Sequence, residues 1–305
     1  MSGLADNTAT ILSSGVRLTV PLAFAACGEY LAERSGAMNI SVEAMMLGAA
    51  FSSVAAASAS GSATFGLVIG IVTGIVIGLV HGNLSHRAQV NTFVVGLVLN
   101  ALVLGLTSYL IAVSTFAGHQ VWQVSIPGLR DIPMVGPALF VERWPVYLLL
   151  LLIPATWYLV ERTRWGLELR SVGENPQAAD LSGVRVNVRR RQALLWCGAC
   201  AGLGGAYLAV GEVGSFNQNM TAGRGYLVIA AVIFGAWRLG RSMLGCALFG
   251  LSFAMQLALP AIGVTLNAQF LVAAPYLLAL LAMLVFATQQ REPRALGQPF
   301  ERGST

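Results

Sequence analysis

Few residues in this chain could do covalent or redox chemistry, and their spacing argues against it. Cys197 and Cys200 have the interval of a redox or zinc pair, but they sit in the apolar run Leu194 to Ala201, where two small side chains on a helix pack rather than react. Cys27 and Cys246 lie in equally apolar stretches, so neither a disulfide framework nor a metal site follows. His81 and His86 are five apart beside Arg87, whereas two ligands on one helical face need an interval of three or four. They read as solvated loop residues at a membrane edge. All 18 basic residues are arginine. Without a lysine the chain has neither the Walker A residue that reaches nucleotide phosphates nor an amine for a Schiff base. No catalytic residue and no cofactor on this chain is expected.

What remains is a set of polar residues in apolar surroundings. Glu43 falls with Asn39 and Ser41 inside Ala37 to Ala50, and a carboxylate at membrane depth is costly enough that it faces a cavity or a partner. It is the only titratable group read as lying near the midplane, either on a solute path or fixing the packing of a neighbouring helix. Asn100, within Val94 to Leu106, has the same two readings. The stretch Gly214 to Gly225 is polar and, Arg224 apart, uncharged; Phe216, Asn217 and Asn219 offer a ring and amides to a neutral polar solute at an outer mouth. An ordinary outside loop is the other reading.

The elements that must position these residues are membrane helices. Charged residues are 10% of the chain and hydrophobic ones 56%, against about 25% charged in a soluble domain. The expected architecture is an all-α, polytopic transmembrane helical bundle in one domain, 1–305. Spanning segments, each needing about 20 apolar residues, are read at 16–32, 37–60, 62–80, 92–115, 144–160, 192–213, 226–240, 242–259 and 269–286, eight or nine crossings in all. The weak one is 226–240, short enough for a re-entrant half-helix. The loop 161–191 carries seven arginines and is expected in the cytoplasm. Counting from it places 81–91, the Arg238–Arg241 turn and the tail 288–305 inside and the N-terminus outside. The tail would fall on the wrong side if the seventh segment did not cross. Because the first arginine, Arg17, already lies in the first apolar run, no cleaved signal is expected.

Two further patterns are local. Gly66, Gly70, Gly74 and Gly78 share one helix face, a stripe for close packing within the subunit or for dimerisation. In the cytoplasmic loop Asn175 is an N-cap, Pro176 suits the first helical position and Gly183 is a stop, which predicts a two-turn helix over Gln177 to Ser182, either a docking element or a plain connection.

Three motifs in order, Glu33 to Met46, Gly166 to Asp180 and Gly214 to Trp237, resemble the permeases of bacterial ABC importers in the branched-chain amino acid, ribose and nucleoside superfamily. The likeness runs from about Leu18 to Phe286 and is greatest to the smaller permease of simple-sugar or nucleoside importers of the basic-membrane-protein type. It implies a type II importer in the cytoplasmic membrane, surrounded by lipid. Its partners would be a cytoplasmic ATPase that carries ATP and Mg, a second and different permease, an extracytoplasmic solute-binding protein and a small-molecule solute, with no nucleic acid. The resemblance makes Arg170, Gly173, Glu174, Asn175, Pro176, Ala179, Asp180 and Gly183 the ATPase-coupling segment. It implies a nucleoside as solute, with ribose or another simple sugar as the alternative; Asn39, Glu43, Asn100, Phe216, Asn217, Asn219 and Arg224 are the expected path residues. Where the family usually reads Gly-Leu-Glu-Gly, this chain has Ser41-Val42-Glu43-Ala44, and the lost glycines argue against a helix break there. A proton-coupled transporter would need more titratable groups at the midplane than Glu43, and a membrane enzyme would need clustered acids and histidines, which here are scattered.

Overall fold

Helix ends fall where short polar residues and glycines punctuate the apolar runs. Residues 2–125, 140–261, 267–286 and 292–300 are described by the computed structural model. α1 (Ser2–Arg34) is followed by a break, then α2 (Val42–Ser60), which stops at Gly61 in the left-handed region. Ser62 accepts the Phe65 N–H (3.3 Å) to start α3 (Ala63–His86), and Asn91 accepts those of Phe93 and Val94 to start α4 (Thr92–Val113). A short antiparallel ribbon, β1 (Gln123–Ser125) on β2 (Val141–Arg143), sets Val124 opposite Glu142. Next come α5 (Trp144–Arg162), α6 (Arg164–Glu174), α7 (Pro176–Leu181) and α8 (Val186–Ala206), which continues as a π-helix over Tyr207–Val213. The chain then forms α9 (Arg224–Phe234), α10 (Leu239–Ala261) and α11 (Ala268–Phe286).

Seven of the described helices are long and apolar enough to cross a membrane, with α8 the most enclosed and α4 and α5 among the most open. Leu102, Leu151 and Leu284, on α4, α5 and α11, are at least 60% exposed, an outer surface suited to lipid rather than water. The protein is a multi-pass membrane helical bundle. All nine sequence segments are helical; the second differs in form from the expectation, and the seventh takes the half-helix form that its shortness allowed. The second begins at Val42 rather than at residue 37, and residues 37–41 are irregular backbone buried in the bundle. The seventh is α9, whose 11 residues rise about 16 Å, half of a crossing. The loop 214–223 makes up the rest. It leaves Glu212, paired with Arg17 near the start of the first span, and α9 ends at a turn whose Trp237 packs in one cluster with Leu296 of the tail. The tail also meets α6 and the turn after α3, where Ala295 N–H donates to Gly173 O (2.9 Å) and Gln89 Nε2 donates to Phe300 O (3.1 Å). Tail, arginine-rich loop and both turns therefore share one end of the bundle.

The glycine stripe is an internal packing face. A Cβ on Gly70 would stand 3.1 Å from Ala49 O of α2, on Gly74 2.7 Å from Gly202 Cα of α8, and on Gly78 2.5 Å from Leu194 O of α8. Only hydrogen allows these backbones to meet.

Candidate solute path and coupling surface

Two interrupted helices begin at the same depth. α2 starts after the 37–41 break and α9 after the loop 214–223, and one carboxylate joins them. Glu43 Oε1 accepts the Thr221 hydroxyl (2.6 Å) and the Gly223 N–H (2.8 Å), while Oε2 accepts the Gly225 N–H (2.7 Å). A helix N-terminus leaves N–H groups unpaired and carries partial positive charge, so an anionic side chain there satisfies both. Asn100 completes the junction: Oδ1 accepts from Ala44 N–H (2.9 Å), and Nδ2 donates to Ile40 O and to the Tyr226 hydroxyl, both at 2.9 Å. It lies eight residues into α4, about 12 Å from that helix's start.

Below this junction the irregular backbone is held by groups the sequence reading placed elsewhere or passed over. His81 is fully buried in α3, with Nδ1 2.7 Å from Ser41 Oγ and Nε2 2.9 Å from Thr92 Oγ1, and His86 is 6% exposed. The expectation of solvated loop histidines is therefore wrong: α3 continues as helix to His86, and non-helical backbone within a bundle needs polar partners. Asn39 Oδ1 accepts from the Ser41 N–H (3.1 Å) and hydroxyl (2.8 Å), and its Nδ2 donates to Glu29 Oε2 (2.9 Å). Glu33 Oε2 accepts from Trp237 Nε1 (2.5 Å). Glu29 and Glu33 are almost wholly buried, so Glu43 is not alone as a carboxylate inside the bundle. Their spacing of four on an apolar run was the available signal.

The expected path residues thus separate into two groups. Asn39, Glu43 and Asn100 are buried, Glu43 and Asn100 committed to the junction and Asn39 to the irregular backbone below it. Phe216 is also buried, its ring edge-on to Phe51 at 5.3 Å between centroids, which withdraws it from a solute. Asn217, Gln218 and Asn219 are exposed, as are Ala222 and Tyr226. Arg224 is half-buried with its guanidinium 4.8 Å over the Phe253 ring. The Tyr276 hydroxyl of α11 donates to Ala222 O and pins the far side of the loop. All four cysteines are free and buried, and among the described residues no cluster of three or more His, Cys, Asp or Glu could hold a metal.

At the end with the tail, α7 has the expected form. Asn175 Oδ1 accepts the Ala178 N–H (3.0 Å), Pro176 opens the helix, and Gly183 stands at φ +88° just beyond its end. Pro176 and Ala179 face inward, Glu174 and Asn175 are exposed, Asp180 is partly buried, and Leu181, 90% exposed, projects outward. Arg170 pairs with Glu161 at 2.7 Å and Gly173 lies against the backbone of Arg34 and Gly36, so α6 ties α7 to the end of α1.

Residues 11–288 match a family model described as branched-chain amino acid transport system, permease component. The chain is similar to the nucleoside ABC transporter permease protein NupC of Lactococcus lactis subsp. cremoris, 32% identical over 95% of this chain and 96% of that one. It is also similar to the putative glucose ABC transporter permease protein TsgC13 of Haloferax volcanii, 33% identical over 96% and 98%, and to the guanosine ABC transporter permease protein NupQ of Bacillus subtilis, 30% identical over 93% of each. No solved structure matches. With nearly the whole bundle inside the matched region, the chain belongs to the family of branched-chain amino acid transport system permease components.

Proposed function

We propose that this chain is a permease subunit of an ATP-driven importer that carries nucleosides across the cytoplasmic membrane. The observation that carries the reading is the exposed amide surface, Asn217, Gln218 and Asn219 beside Tyr226, at the mouth of a half-helix anchored inside the bundle. Amides and a phenol can exchange hydrogen bonds with the ribose hydroxyls and base edges of an uncharged nucleoside, and interrupted helices are where membrane transporters place such contacts. Two of the relatives above are named for nucleoside or guanosine transport, which favours that class.

The arginine-rich end faces the cytoplasm by the positive-inside rule. There α7 meets the partner ATPase. ATP binding closes the ATPase, α7 moves with it, and this permease rocks against a second, different one to open the path to a loaded solute-binding protein; hydrolysis resets the inward-facing state. The exposed residues of this loop and helix start, Asn217 to Asn219, Ala222 and Tyr226, form the surface that the second permease would complete. A simple sugar is the second reading, favoured by the relative named for glucose.

Uptake of labelled nucleosides and pentoses, compared between cells with and without the gene, tests both. Gene-dependent nucleoside uptake lost on ATP depletion but kept under a proton ionophore is the expected result. Pentose uptake alone would move the assignment to sugars, and uptake that fails only with the proton gradient would overturn the importer.

A further inference from the structure

The tail segment 292–300 is a strap across the end of the bundle that holds α7. At its middle, Gly297 N–H donates to Gly36 O (3.0 Å), at the start of the irregular backbone before α2, and Ala295 N–H donates to Gly173 O of α6 (2.9 Å). Leu296 packs into the cluster of Trp237 and Leu239, at the turn after α9. Phe300, 7% exposed, closes a cluster with Val172 of α6, Ala179 of α7 and Val186 of α8. Arg190 clamps the arrangement from within. It is fully buried, and among the described residues its guanidinium meets only main-chain carbonyls: Nη1 donates to Gln298 O (2.6 Å), Nη2 to Ala295 O (3.3 Å) and Nε to Ser35 O (3.3 Å). Two of these three acceptors belong to the strap, so the arginine and the strap depend on each other for a satisfied buried charge.

We propose that the strap, clamped by Arg190 and Phe300, is a positioning element that carries the movement of α7 into the 36–41 backbone and so to the junction at Glu43. One end rests on α7 at Ala179. Its middle holds Gly36, from which five residues lead through Asn39 and Ser41 to α2 and the carboxylate that fixes α9. A direct contact also exists, because Gly173 of α6 lies against Arg34 and Gly36, and around Gly36 it is joined by Ala295 O of the strap and the Arg190 guanidinium, all within 3.3 Å of the position a Cβ would take. The strap and Arg190 add hydrogen bonds to Gly36 O and Ser35 O, which Gly173 does not make. When both hold, the break moves as one body with α7. A loosened strap leaves the break free, so the ATPase cycles without reseating α9. The inference rests on the importer reading above.

The test measures solute taken up per ATP hydrolysed, in membranes or liposomes holding the full complex with its binding protein. Arg190→Gln, which removes the charge and most donors, and Phe300→Ala, which removes the buried ring, each lower this ratio by about 2- to 30-fold, the span that residues on coupling networks commonly reach. ATP hydrolysis and the amount of assembled complex persist. A second arm separates positioning from general loss of structure. A Cβ at Gly297 would stand 3.5 Å from Met38 Cβ, within the range of a disulfide; because Gly297 is at φ +72°, where a side chain is strained, the reference for the ratio is the same cysteine pair in the otherwise wild-type chain. Met38→Cys with Gly297→Cys, oxidised in the Arg190→Gln protein, restores the ratio, and reductant removes the rescue. If Arg190→Gln does not assemble, the same disulfide in Phe300→Ala serves. A wild-type ratio in both single variants, or a disulfide that forms without rescue, overturns the inference. Wild-type uptake that needs no ATP would instead overturn the importer reading.

Discussion

The Glu43 carboxylate and the Gly225 N–H lie 2.7 Å apart across 182 residues of chain, and this bond fixes where the half-helix α9 begins. The same carboxylate takes the Thr221 hydroxyl and the Gly223 N–H, so three donors converge on one side chain. Glu43→Gln leaves one oxygen for these three donors and turns an NH2 toward at least one N–H. The expected outcome is a loss of about 1.5–3 kcal/mol, as for a hydrogen bond to a charged group, with the complex still assembled and uptake reduced. Thermal unfolding of the purified permease, paired with uptake, checks it. Wild-type uptake with only the stability loss would assign Glu43 to packing alone.

The proposed coupling surface yields a prediction with the opposite signature. Glu174 and Asn175 are exposed and touch little of this chain beyond the cap bond to Ala178, so their substitution should spare the bundle. Glu174→Ala removes a charge from the face proposed to meet the ATPase. Pro176→Gly loosens the first turn of α7 by about 1 kcal/mol through backbone entropy. Both should lower uptake while leaving permease abundance unchanged. Wild-type uptake together with normal retention of the ATPase on purification, in both variants, would remove α7 from the coupling role.

How much of this was legible in the sequence depends on the range of the interactions. α7 is set by three neighbours, Asn175, Pro176 and Gly183, each acting within a few residues, so its limits could be read directly. The glycine stripe showed its face but not its partners, because a four-residue spacing cannot say whether α8 or another subunit lies opposite. The half-helix showed in the shortness of the apolar run after Tyr226, whereas the break before α2 depends on contacts between residues far apart in the chain. Ser41 and Ala44 in place of glycines argued for continuous helix, yet Asn100, His81 and Thr92 from other helices supply the bonds that hold the break open. Glu29 and Glu33 were hidden in an apolar run for the same reason: their donors, Asn39 and Trp237, come from other parts of the chain.

The crossing of α3 and α8 offers a paired test of packing. Gly74 meets Gly198 and Gly202 backbone to backbone, and a Cβ there would fall 2.7 Å from Gly202 Cα, where no flexible side chain can yield. Gly105 on α4 is exposed, with nothing within 4 Å of an added Cβ. Gly74→Ala should therefore destabilise the permease by about 1–3 kcal/mol, the usual range for overpacking. Gly105→Ala should leave stability unchanged or slightly raised. Thermal midpoints in one detergent give the comparison, and equal midpoints for the two variants would show that the helices can separate at no cost.

A pH dependence follows from the ribbon at the opposite end from α7. Glu142 is 2% exposed on β2, and burial pushes its carboxyl up from 4.5 to about 7; Arg17 and Arg143 nearby pull it down, and Glu212 adds to the rise. Tyr147 also faces it, its hydroxyl accepting the Glu142 N–H at 3.4 Å. Between pH 4.5 and about 7 the folded protein holds a proton that the unfolded chain has lost. Stability therefore falls as pH rises through that window and levels off above it, a change on the order of 3 kcal/mol for this one group. The sign is opposite to that of a salt-bridged carboxylate, which loses stability as pH falls. Glu142→Gln cannot titrate, so its thermal midpoint should drop less between pH 5 and pH 8 than that of the wild type. Parallel midpoints for the two proteins across that range would mean that Glu142 is ionised throughout, held by Arg17 and Arg143.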